Sequence, residues 1–270
     1  MNLPQTTHLL LTLEDGVLYA TLNRPEARNA MNTAVLDDFD ALFDAIADDR
    51  NVRAVVLRGA EGNFCAGGDL KEMAQARFAP MAGDGDDAVA TYSRRFGAML
   101  RKVNAAPQAV IAMIEGAVLG GGFGLACASD VAIAHADAKF GLPETTRGIP
   151  PAQIAPFVVE RIGLTQARRL GVCGGRFKGA EAQRLGLVHF VEADEAAMQA
   201  RLDEVLGQIR NCAPGANAVT KAIMLQVGRM DMDAVLDHAA AEFSACIRGE
   251  EGIEGTTAFV EKRAPSWTSK

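Results

Sequence analysis

Compact apolar segments that alternate with helical or glycine-rich segments most constrain the fold of this chain. Residues 52–57, 109–114 and 131–134 are such apolar segments, and their lengths are typical of β-strands. Three consecutive glycines and a short helix rich in small residues are predicted between the second and the third segment. Because strands that alternate with helices are joined by β-α crossovers, the sequence predicts an α/β fold with a largely parallel sheet.

The N-terminal segment predicts a β-hairpin followed by an amphipathic helix. Residues 8–13 and 17–22 are apolar runs on either side of a turn signal at residues 14–16. Asn32 or Thr33 is placed to cap the helix that follows. The apolar residues of this helix recur at the three- and four-residue spacing of one helical face: Val35, Leu36, Phe39, Leu42, Phe43 and Ile46.

The pattern changes after about residue 195, where helical periodicity replaces the alternation of strands and helices. We therefore predict a core of residues 1–195 and an α-helical C-terminal region of residues 196–270 that takes part in assembly. One helical face of this second region carries a run of apolar side chains: Val235, Leu236, Ala239, Phe243, Cys246 and Ile247.

Composition and charge exclude several classes of partner. The chain has 27 Lys and Arg against 34 Asp and Glu, a net charge of −7, whereas nucleic acid and anionic membranes need a basic surface. The longest apolar stretch, residues 107–128, is interrupted by Glu115 and several glycines, so it does not predict a membrane span. The N-terminus lacks the pattern of a signal peptide. We expect a cytoplasmic protein without nucleic-acid or membrane partners.

Cysteines and histidines do not have the spacing of metal ligands. The 5 cysteines are scattered without a CxxC pair, which is typical of small buried side chains in a reducing compartment. The 4 histidines are equally scattered, so no metal site is predicted. A serine nucleophile is not expected either, because the sequence has no GxSxG motif.

The segment FCAGGDLK, residues 64–71, is the first place where chemistry is expected. Glycines after a strand allow a ligand to approach the backbone closely, and a helix is predicted to begin at about Asp69. The N–H groups at such a helix start point outward and are free to bind an anion or a polarised oxygen. Glycine-rich turns before helices are common, so the segment alone is weak evidence for a site.

The segment GAVLGGGFG, residues 116–124, is the second candidate. Three consecutive glycines at a helix start cost conformational entropy, which tight helix packing alone does not easily explain. The segment does not fit the G-x-G-x-x-G pattern of dinucleotide-binding sites. It is not a P-loop, because no Gly-Lys-Ser/Thr follows.

The third candidate is Glu144 in the segment FGLPE. Pro143 fixes the backbone ahead of this carboxylate, and the residues before it are apolar. Desolvation there disfavours the charged form, which is how carboxylates are tuned for acid/base chemistry. The alternative is a structural role for Glu144, as a helix cap or as the salt-bridge partner of Arg147.

Taken together, five segments resemble the enoyl-CoA hydratase/isomerase (crotonase) family in order and spacing, and they span nearly the whole chain. They are LNRPEARNAM (22–31), VVLRGAEGNFCAGGDLKEM (55–73), IEGAVLGGGFGLACASDVAIA (114–134), KFGLPET (139–145) and AFVEKR (258–263). The resemblance implies a crotonase-like spiral of ββα turns with a helical C-terminal region, assembled as a homotrimer or a dimer of trimers. It also implies an acyl-CoA thioester as the substrate, without a separate cofactor.

The resemblance assigns three catalytic positions. The N–H groups of Gly68 and Gly121 match the two donors that hold the thioester oxygen when it becomes enolate-like. Glu144 matches a catalytic general acid/base.

The resemblance also assigns contacts with CoA to three segments, of which the last reaches the CoA of a neighbouring subunit in relatives. Plain alternatives for that last segment are core packing of its aromatic ring and a solvated lysine. The matched positions are Glu26, Ala27 and Arg28; then Ala66, Gly68, Asp69, Leu70 and Lys71; and finally Phe259 and Lys262.

The sequence departs from the family at one catalytic position. Hydratases of the best-known type hold water between two glutamates, and Gly124 stands where the first of them is expected. Residues 120–134 and 140–163 look like the isohexenylglutaconyl-CoA hydratases of acyclic terpene (citronellol and geraniol) breakdown. A 3-carboxymethyl enoyl-CoA brings its own carboxylate, which we expect to orient the water, with Arg147 as its anchor. The alternatives are a single-glutamate enoyl-CoA isomerase and a non-catalytic CoA-binding assembly protein.

Overall fold

The fold is built on two β-sheets in the computed structural model, which describes residues 3–76, 78 and 87–269. In chain order the strands are β1 (Leu9–Glu14), β2 (Val17–Leu22), β3 (Ala54–Gly59), β4 (Ala109–Ile114), β5 (Ala117–Leu119), β6 (Val131–His135), β7 (Lys139–Gly141), β8 (Arg176–Phe177) and β9 (Phe190–Glu192). The helices are α1 (Thr33–Ile46), α2 (Leu70–Ala76), α3 (Ala88–Ala105), α4 (Gly121–Ala128), α5 (Ala155–Cys173), α6 (Gly179–Arg184), α7 (Glu195–Asn211), α8 (Pro214–Met224), α9 (Met232–Arg248) and α10 (Glu250–Glu261).

The larger sheet has the strand order β1-β2-β3-β4-β6-β9. Its first two strands form an antiparallel hairpin that turns at Asp15 and Gly16, both of which have a positive φ (47° and 73°). From β2 onward, neighbouring strands of this sheet are parallel. The predicted hairpin and the predicted, largely parallel sheet are both confirmed.

Helix α1 forms where the amphipathic pattern predicts it. Asn32 is the N-cap, and its side chain accepts a hydrogen bond from the Val35 N–H at 3.0 Å. The apolar positions predicted for the inner face of the helix are all buried. A cap bond and a continuous apolar face therefore account for both the start and the orientation of this helix.

The two faces of the larger sheet are covered by different helices. Helices α1, α3 and α4 contribute buried side chains to the main core on one face. On the other face, apolar side chains of α7 pack against β2, β3, β4 and β6. The first helix of the predicted C-terminal region thus belongs to the packing of the core, and the division at residue 195 stays a prediction.

The smaller sheet brings together three segments that are far apart in sequence. Strand β5 pairs in parallel with β7, and β7 pairs antiparallel with β8. Because β5 and β7 are parallel, the residues that follow each of them emerge at the same edge of this sheet. A parallel bridge between Cys65 and Val118 brings the first glycine-rich segment to the same place.

Two largely buried cations tie helix α8 and the turn that follows α10 to the core. The Lys221 ammonium donates to Asp130 at 2.7 Å, and the Arg53 guanidinium donates to backbone carbonyls that include Trp267 O at 3.2 Å. The predicted helical pattern of α9 is confirmed, yet Leu236 and Phe243 are exposed in the single chain (58% and 69%). Within the described ranges, no helix has the length and apolarity needed to cross a membrane.

Candidate active site

The first glycine loop is fixed against β5 by backbone hydrogen bonds. The Cys65 N–H donates to Ala117 O (2.9 Å), and the Leu119 N–H donates to Cys65 O (3.0 Å). Gly67 has a φ of 107°, and a Cβ on it would lie only 2.9 Å from Leu119 O. Glycine is required at this position, because both the backbone conformation and the close approach of the carbonyl exclude a side chain.

Gly68 lies in a backbone clamp formed by Met31. The Met31 N–H donates to Gly67 O, and the Asp69 N–H donates to Met31 O, each at 2.8 Å. The Asp69 carboxylate is held in turn by Arg24 Nη2 at 2.9 Å. The hydrogen bonds of the described residues leave the Gly68 N–H without an acceptor. This loop therefore offers a fixed, free N–H group.

The second glycine loop opens helix α4 and offers a further free N–H. The first N–H groups of a helix lack an acceptor within that helix. In α4 the Gly124 N–H donates to Gly120 O at 3.0 Å, whereas the Gly121 N–H has no acceptor among the described residues. A Cβ on Gly67 would lie 3.4 Å from Gly121 N, so the start of α4 lies beside the first loop. The Phe96 ring covers Gly121, with its Cζ 2.6 Å from where a Cβ would be.

Glu144 directs its carboxylate at the start of α4. It opens a 3-10 turn, Glu144–Arg147, that follows β7, and Pro143 stands at the cap position of that turn. Its Oε1 lies 2.7 Å from the position of a Cβ on Gly120, whose φ is 51°. Its Oε2 is buried, and no described residue donates a hydrogen bond to it. A buried carboxylate oxygen without a partner is costly, which makes Glu144 a candidate functional residue.

Burial raises the pKa of Glu144 above its ordinary value. Desolvation is the largest cause, while a hydrogen bond from its own N–H and the positive charge of Arg147 lower the pKa and only partly offset it. The structural alternatives for Glu144 are not found, since Pro143 takes the cap position and no described ion pair joins Glu144 to Arg147. A carboxyl group with a raised pKa is suited to general acid/base chemistry.

The place where a second carboxylate is expected is filled by apolar side chains. Gly124 lies on α4, and a Cβ on it would be 2.4 Å from Ile154 Cγ2 and 3.3 Å from Leu100 Cδ1. Ile154 is 3% exposed and comes from the 3-10 turn Ala152–Ile154. Apolar side chains therefore occupy the position beside Gly124, and Glu144 is the carboxylate that the described residues bring to the start of α4.

Two of the three segments assigned to CoA lie side by side. The Ala66 N–H donates to Arg28 O at 3.0 Å, which joins the 3-10 turn Pro25–Ala27 to the first glycine loop. Desolvation raises the pKa of Asp69, but hydrogen bonds from Arg24 and from the Lys71 and Glu72 N–H groups outweigh it and lower that pKa. The exposed side chains of these segments are those of Glu26, Arg28, Leu70 and Lys71.

The third segment, Phe259 with Lys262, lies on α10 and is not joined to the first two by any described hydrogen bond or ion pair. The Phe259 side chain is 85% exposed, so the core-packing alternative for it is wrong. Lys262 ends α10 in the left-handed conformation, with a φ of 57°. In a single chain, both side chains face outward.

Sequence reasoning missed Met31 and Ile154 as residues that shape the site. A methionine or an isoleucine in an apolar pattern predicts core packing and carries no signal of its own. It also missed Asn29, which is 1% exposed and has a φ of 58°. Its side chain donates to Ala60 O and Asn63 O (2.9 and 2.6 Å) and so joins the first assigned segment to residues 60–63, just before the first glycine loop.

Other chemistry-bearing side chains do not add a second centre. Burial raises the pKa of the Cys65 thiol and of the Cys127 thiol to about 12, so neither is a thiolate nucleophile at neutral pH. No group of three or more metal-ligating side chains occurs within residues 3–76 and 87–269.

Comparison with known proteins points to one family. Residues 12–270 match the profile described as Enoyl-CoA hydratase/isomerase. The structure of Pseudomonas aeruginosa AtuE is 58% identical and covers 97% of this chain and 100% of its own, with a TM-score of 0.93. An enoyl-CoA hydratase/isomerase from Marinobacter aquaeolei is 51% identical, with a TM-score of 0.93 over 97% of this chain and 99% of its own.

A curated relative extends this similarity to a protein with a stated activity. The short-chain-enoyl-CoA hydratase of Clostridium acetobutylicum is 32% identical over 266 residues, which are 96% of this chain and 97% of its own. The predicted crotonase-like α/β fold is confirmed by these structural neighbours and by the observed sheets and helices.

Proposed function

The chain belongs to the enoyl-CoA hydratase/isomerase family and is an enzyme of the hydro-lyase type, and we propose that it hydrates a branched 2-enoyl-CoA that carries a 3-carboxymethyl group. The substrate class is that of isohexenylglutaconyl-CoA, from acyclic terpene breakdown. The single observation that carries the proposal is the pairing of one desolvated carboxylate with two free backbone N–H groups.

The N–H groups of Gly68 and Gly121 hold the thioester oxygen. When water attacks C3 of the enoyl group, the electron pair of the double bond moves toward the carbonyl and places negative charge on this oxygen. Donors fixed in advance stabilise that charge more than they stabilise the neutral carbonyl. The backbone clamp of Met31 and the start of α4 fix the two donors before the substrate arrives.

Glu144 moves the proton. Its carboxylate takes a proton from water as the water oxygen bonds to C3, and the resulting carboxylic acid returns that proton to C2 of the enolate. One carboxyl group therefore serves first as the base and then as the acid of the addition. Its raised pKa brings the acid and base forms closer in free energy near neutral pH.

Two features favour a substrate that carries its own carboxylate. The space beside Gly124 is taken by Ile154, so the protein supplies no second carboxylate there. Arg147 is exposed, lies near Glu144, and forms no ion pair in the described part of the chain. A carboxymethyl branch at C3 brings a negative charge close to the attacking water, and Arg147 anchors it.

A single carboxylate with two N–H donors also serves an enoyl-CoA isomerase, which moves a proton between two carbons. The absence of a second carboxylate beside Gly124 is the observation that favours this second candidate. The chemistry differs only in whether water is added, so product analysis separates the two.

We propose further that the chain assembles as a homotrimer or a dimer of trimers. Exposed apolar side chains on α9 and α10, such as Phe243 (69%) and Phe259 (85%), need a covering surface. In such an assembly Phe259 and Lys262 contact the CoA bound by a neighbouring chain, and the segments at residues 26–28 and 66–71 contact the CoA of their own chain. We also propose a reducing, cytoplasmic location, which the free thiols of Cys65 and Cys127 support; the prediction that the cysteines are buried is wrong for Cys173 and Cys212, which are exposed.

The test is the loss of enoyl-thioester absorbance on addition of the protein to two substrates, crotonyl-CoA and a 3-carboxymethyl-branched enoyl-CoA. We expect turnover of the branched substrate and little turnover of crotonyl-CoA. Glu144→Gln should lower kcat by about 10²–10⁴-fold, the usual contribution of general acid/base catalysis. Glu61→Gln, which changes an exposed glutamate, is the matched control.

Arg147→Ala should raise KM for the branched substrate, and Arg147→Lys should restore most of the affinity. Unchanged turnover in Arg147→Ala would remove the proposed anchor. A hydroxyacyl product excludes the isomerase, whereas a shifted double bond without added water overturns the hydratase. Binding of CoA without any reaction would instead support a non-catalytic assembly protein.

A further inference from the structure

Helix α3 places two aromatic side chains, one helical turn apart, over the two glycine loops. The Phe96 ring lies on Gly121, and the Tyr92 hydroxyl lies 3.8 Å from the position of a Cβ on Gly68. Phe96 is apolar and buried, whereas Tyr92 carries a hydroxyl group. The hydroxyl donates to Met31 O at 3.0 Å.

Met31 links this hydroxyl to both glycine loops. Its carbonyl accepts from Tyr92 and from the Asp69 N–H, and its N–H donates to Gly67 O. Its Cε lies 3.2 Å from the position of a Cβ on Gly121. The backbone of Met31 therefore fixes the first loop, and its side chain packs on the second.

We infer that Tyr92 is a positioning residue for the proposed oxyanion site, an inference that rests on the proposed function. Its hydrogen bond holds the Met31 carbonyl, and Met31, which is bonded to the residues on both sides of Gly68, in turn sets the direction of the Gly68 N–H. Without this bond the Met31 carbonyl keeps the Asp69 N–H as its donor, and the loop gains freedom to tilt. The cost falls on the transition state, where charge on the thioester oxygen is greatest.

The surroundings of Tyr92 keep its hydroxyl protonated and therefore a donor. Desolvation raises its pKa, and the nearby negative charges of Glu72 and Asp69 raise it further, while the Arg24 charge and a backbone hydrogen bond of Asp69 lower it less. The bond to Met31 thus persists over the whole range in which Glu144 changes its protonation state.

The chain contains only 2 tyrosines, which gives the experiment a matched control. Tyr19 is also half-buried, with a pKa raised by desolvation, but it lies on β2 and packs in the cluster around α7. Tyr92→Phe and Tyr19→Phe each remove one hydroxyl. We expect Tyr92→Phe to lower kcat about tenfold, less than the 10²–10³-fold lost with a whole oxyanion donor, with KM within twofold. Tyr19→Phe should keep kcat.

A second readout does not depend on hydration. Acetoacetyl-CoA is a 3-oxoacyl thioester whose enolate absorbs in the ultraviolet, and an intact oxyanion site favours that enolate. We expect Tyr92→Phe to show a weaker enolate band than wild type at saturating ligand, whereas Tyr19→Phe matches wild type. If wild type shows the band but hydrates neither enoyl substrate, the proposed function fails while the role of Tyr92 is still tested.

Equal kcat and an equal enolate band in Tyr92→Phe and wild type would overturn the inference. If Tyr92→Phe does not fold, fluorotyrosine can be incorporated in the Tyr19→Phe background, where Tyr92 is the remaining tyrosine. Fluorination preserves the shape of the ring and lowers the pKa of the hydroxyl. A more acidic hydroxyl is a stronger hydrogen-bond donor to Met31 O, so the enolate band should change relative to the Tyr19→Phe parent, and an unchanged band would equally overturn the inference.

Discussion

Gly120→Ala is the perturbation that tests the position of the proposed catalytic carboxylate, Glu144, most directly. Gly120 has a φ of 51°, and a Cβ on it would lie 2.7 Å from Glu144 Oε1. An ordinary contact of a Cβ begins near 3.4 Å, so the carboxylate must retreat by about 0.7 Å, the difference between the two distances. The added methyl group thus displaces Glu144 without changing its chemistry.

Two magnitudes follow from this geometry. A non-glycine residue held at such a backbone conformation costs about 1–3 kcal/mol, which corresponds to a fall in Tm of roughly 2–10 °C for a domain of this size. A 1 Å misplacement of a reacting group can cost about 10²-fold in rate, so a shift of about 0.7 Å should lower kcat by roughly 10–100-fold. We expect KM to change little, because Gly120 is not among the positions proposed to bind CoA.

The assay is steady-state hydration of the branched enoyl-CoA together with thermal unfolding of the same preparations. Gly186→Ala is the matched control, since Gly186 also has a positive φ (75°) but a Cβ on it would meet nothing within 4 Å. It should lose stability and keep kcat. A folded Gly120→Ala variant with kcat within threefold of wild type would refute the reasoning, because the carboxylate would then tolerate displacement from the start of α4.

Three further predictions concern the same site and the assembly. Glu144→Gln should raise Tm at pH 7. Because the pKa of Glu144 is raised in the folded state, this group stabilises the fold fully below its unfolded pKa of about 4.3 and loses that contribution as pH rises through the folded pKa. The gain in Tm should therefore vanish in acid, and an equal Tm of the variant and wild type at pH 7 would contradict the prediction. Gly124→Glu alone should lower the free energy of unfolding by more than the usual ~1–3 kcal/mol of overpacking. Adding Ile154→Ala should recover part of that loss and raise crotonyl-CoA turnover. Additive effects of the two substitutions in denaturant unfolding would show that the two side chains do not share the space. Phe243→Lys should yield smaller assemblies by light scattering, and an unchanged mass would exclude the exposed face of α9 from the interface.

Local signals in the sequence were sufficient for much of the fold. The hairpin, α1 with its Asn32 cap, and the strands at residues 109–114 and 131–134 follow from periodicity, turn residues and capping. The helical pattern of α9 was equally clear, but the sequence could not show that Phe243 stays exposed. Exposure depends on what covers a face, and periodicity only shows that the face is apolar.

By itself, the sequence determined which residues are candidates for the chemistry: Glu144 after a proline, and two glycine segments that open helices. Only the tertiary structure decided how they are arranged. It placed Ile154 on Gly124 and pressed Glu144 against Gly120, and it left one carboxylate oxygen without a partner. These contacts join residues 24 and 30 positions apart, and apolar side chains in a sequence look alike whether they fill a core or line a site. The physical reason is that close packing and desolvation depend on three-dimensional proximity, whereas turns, caps and periodicity are local properties of the chain.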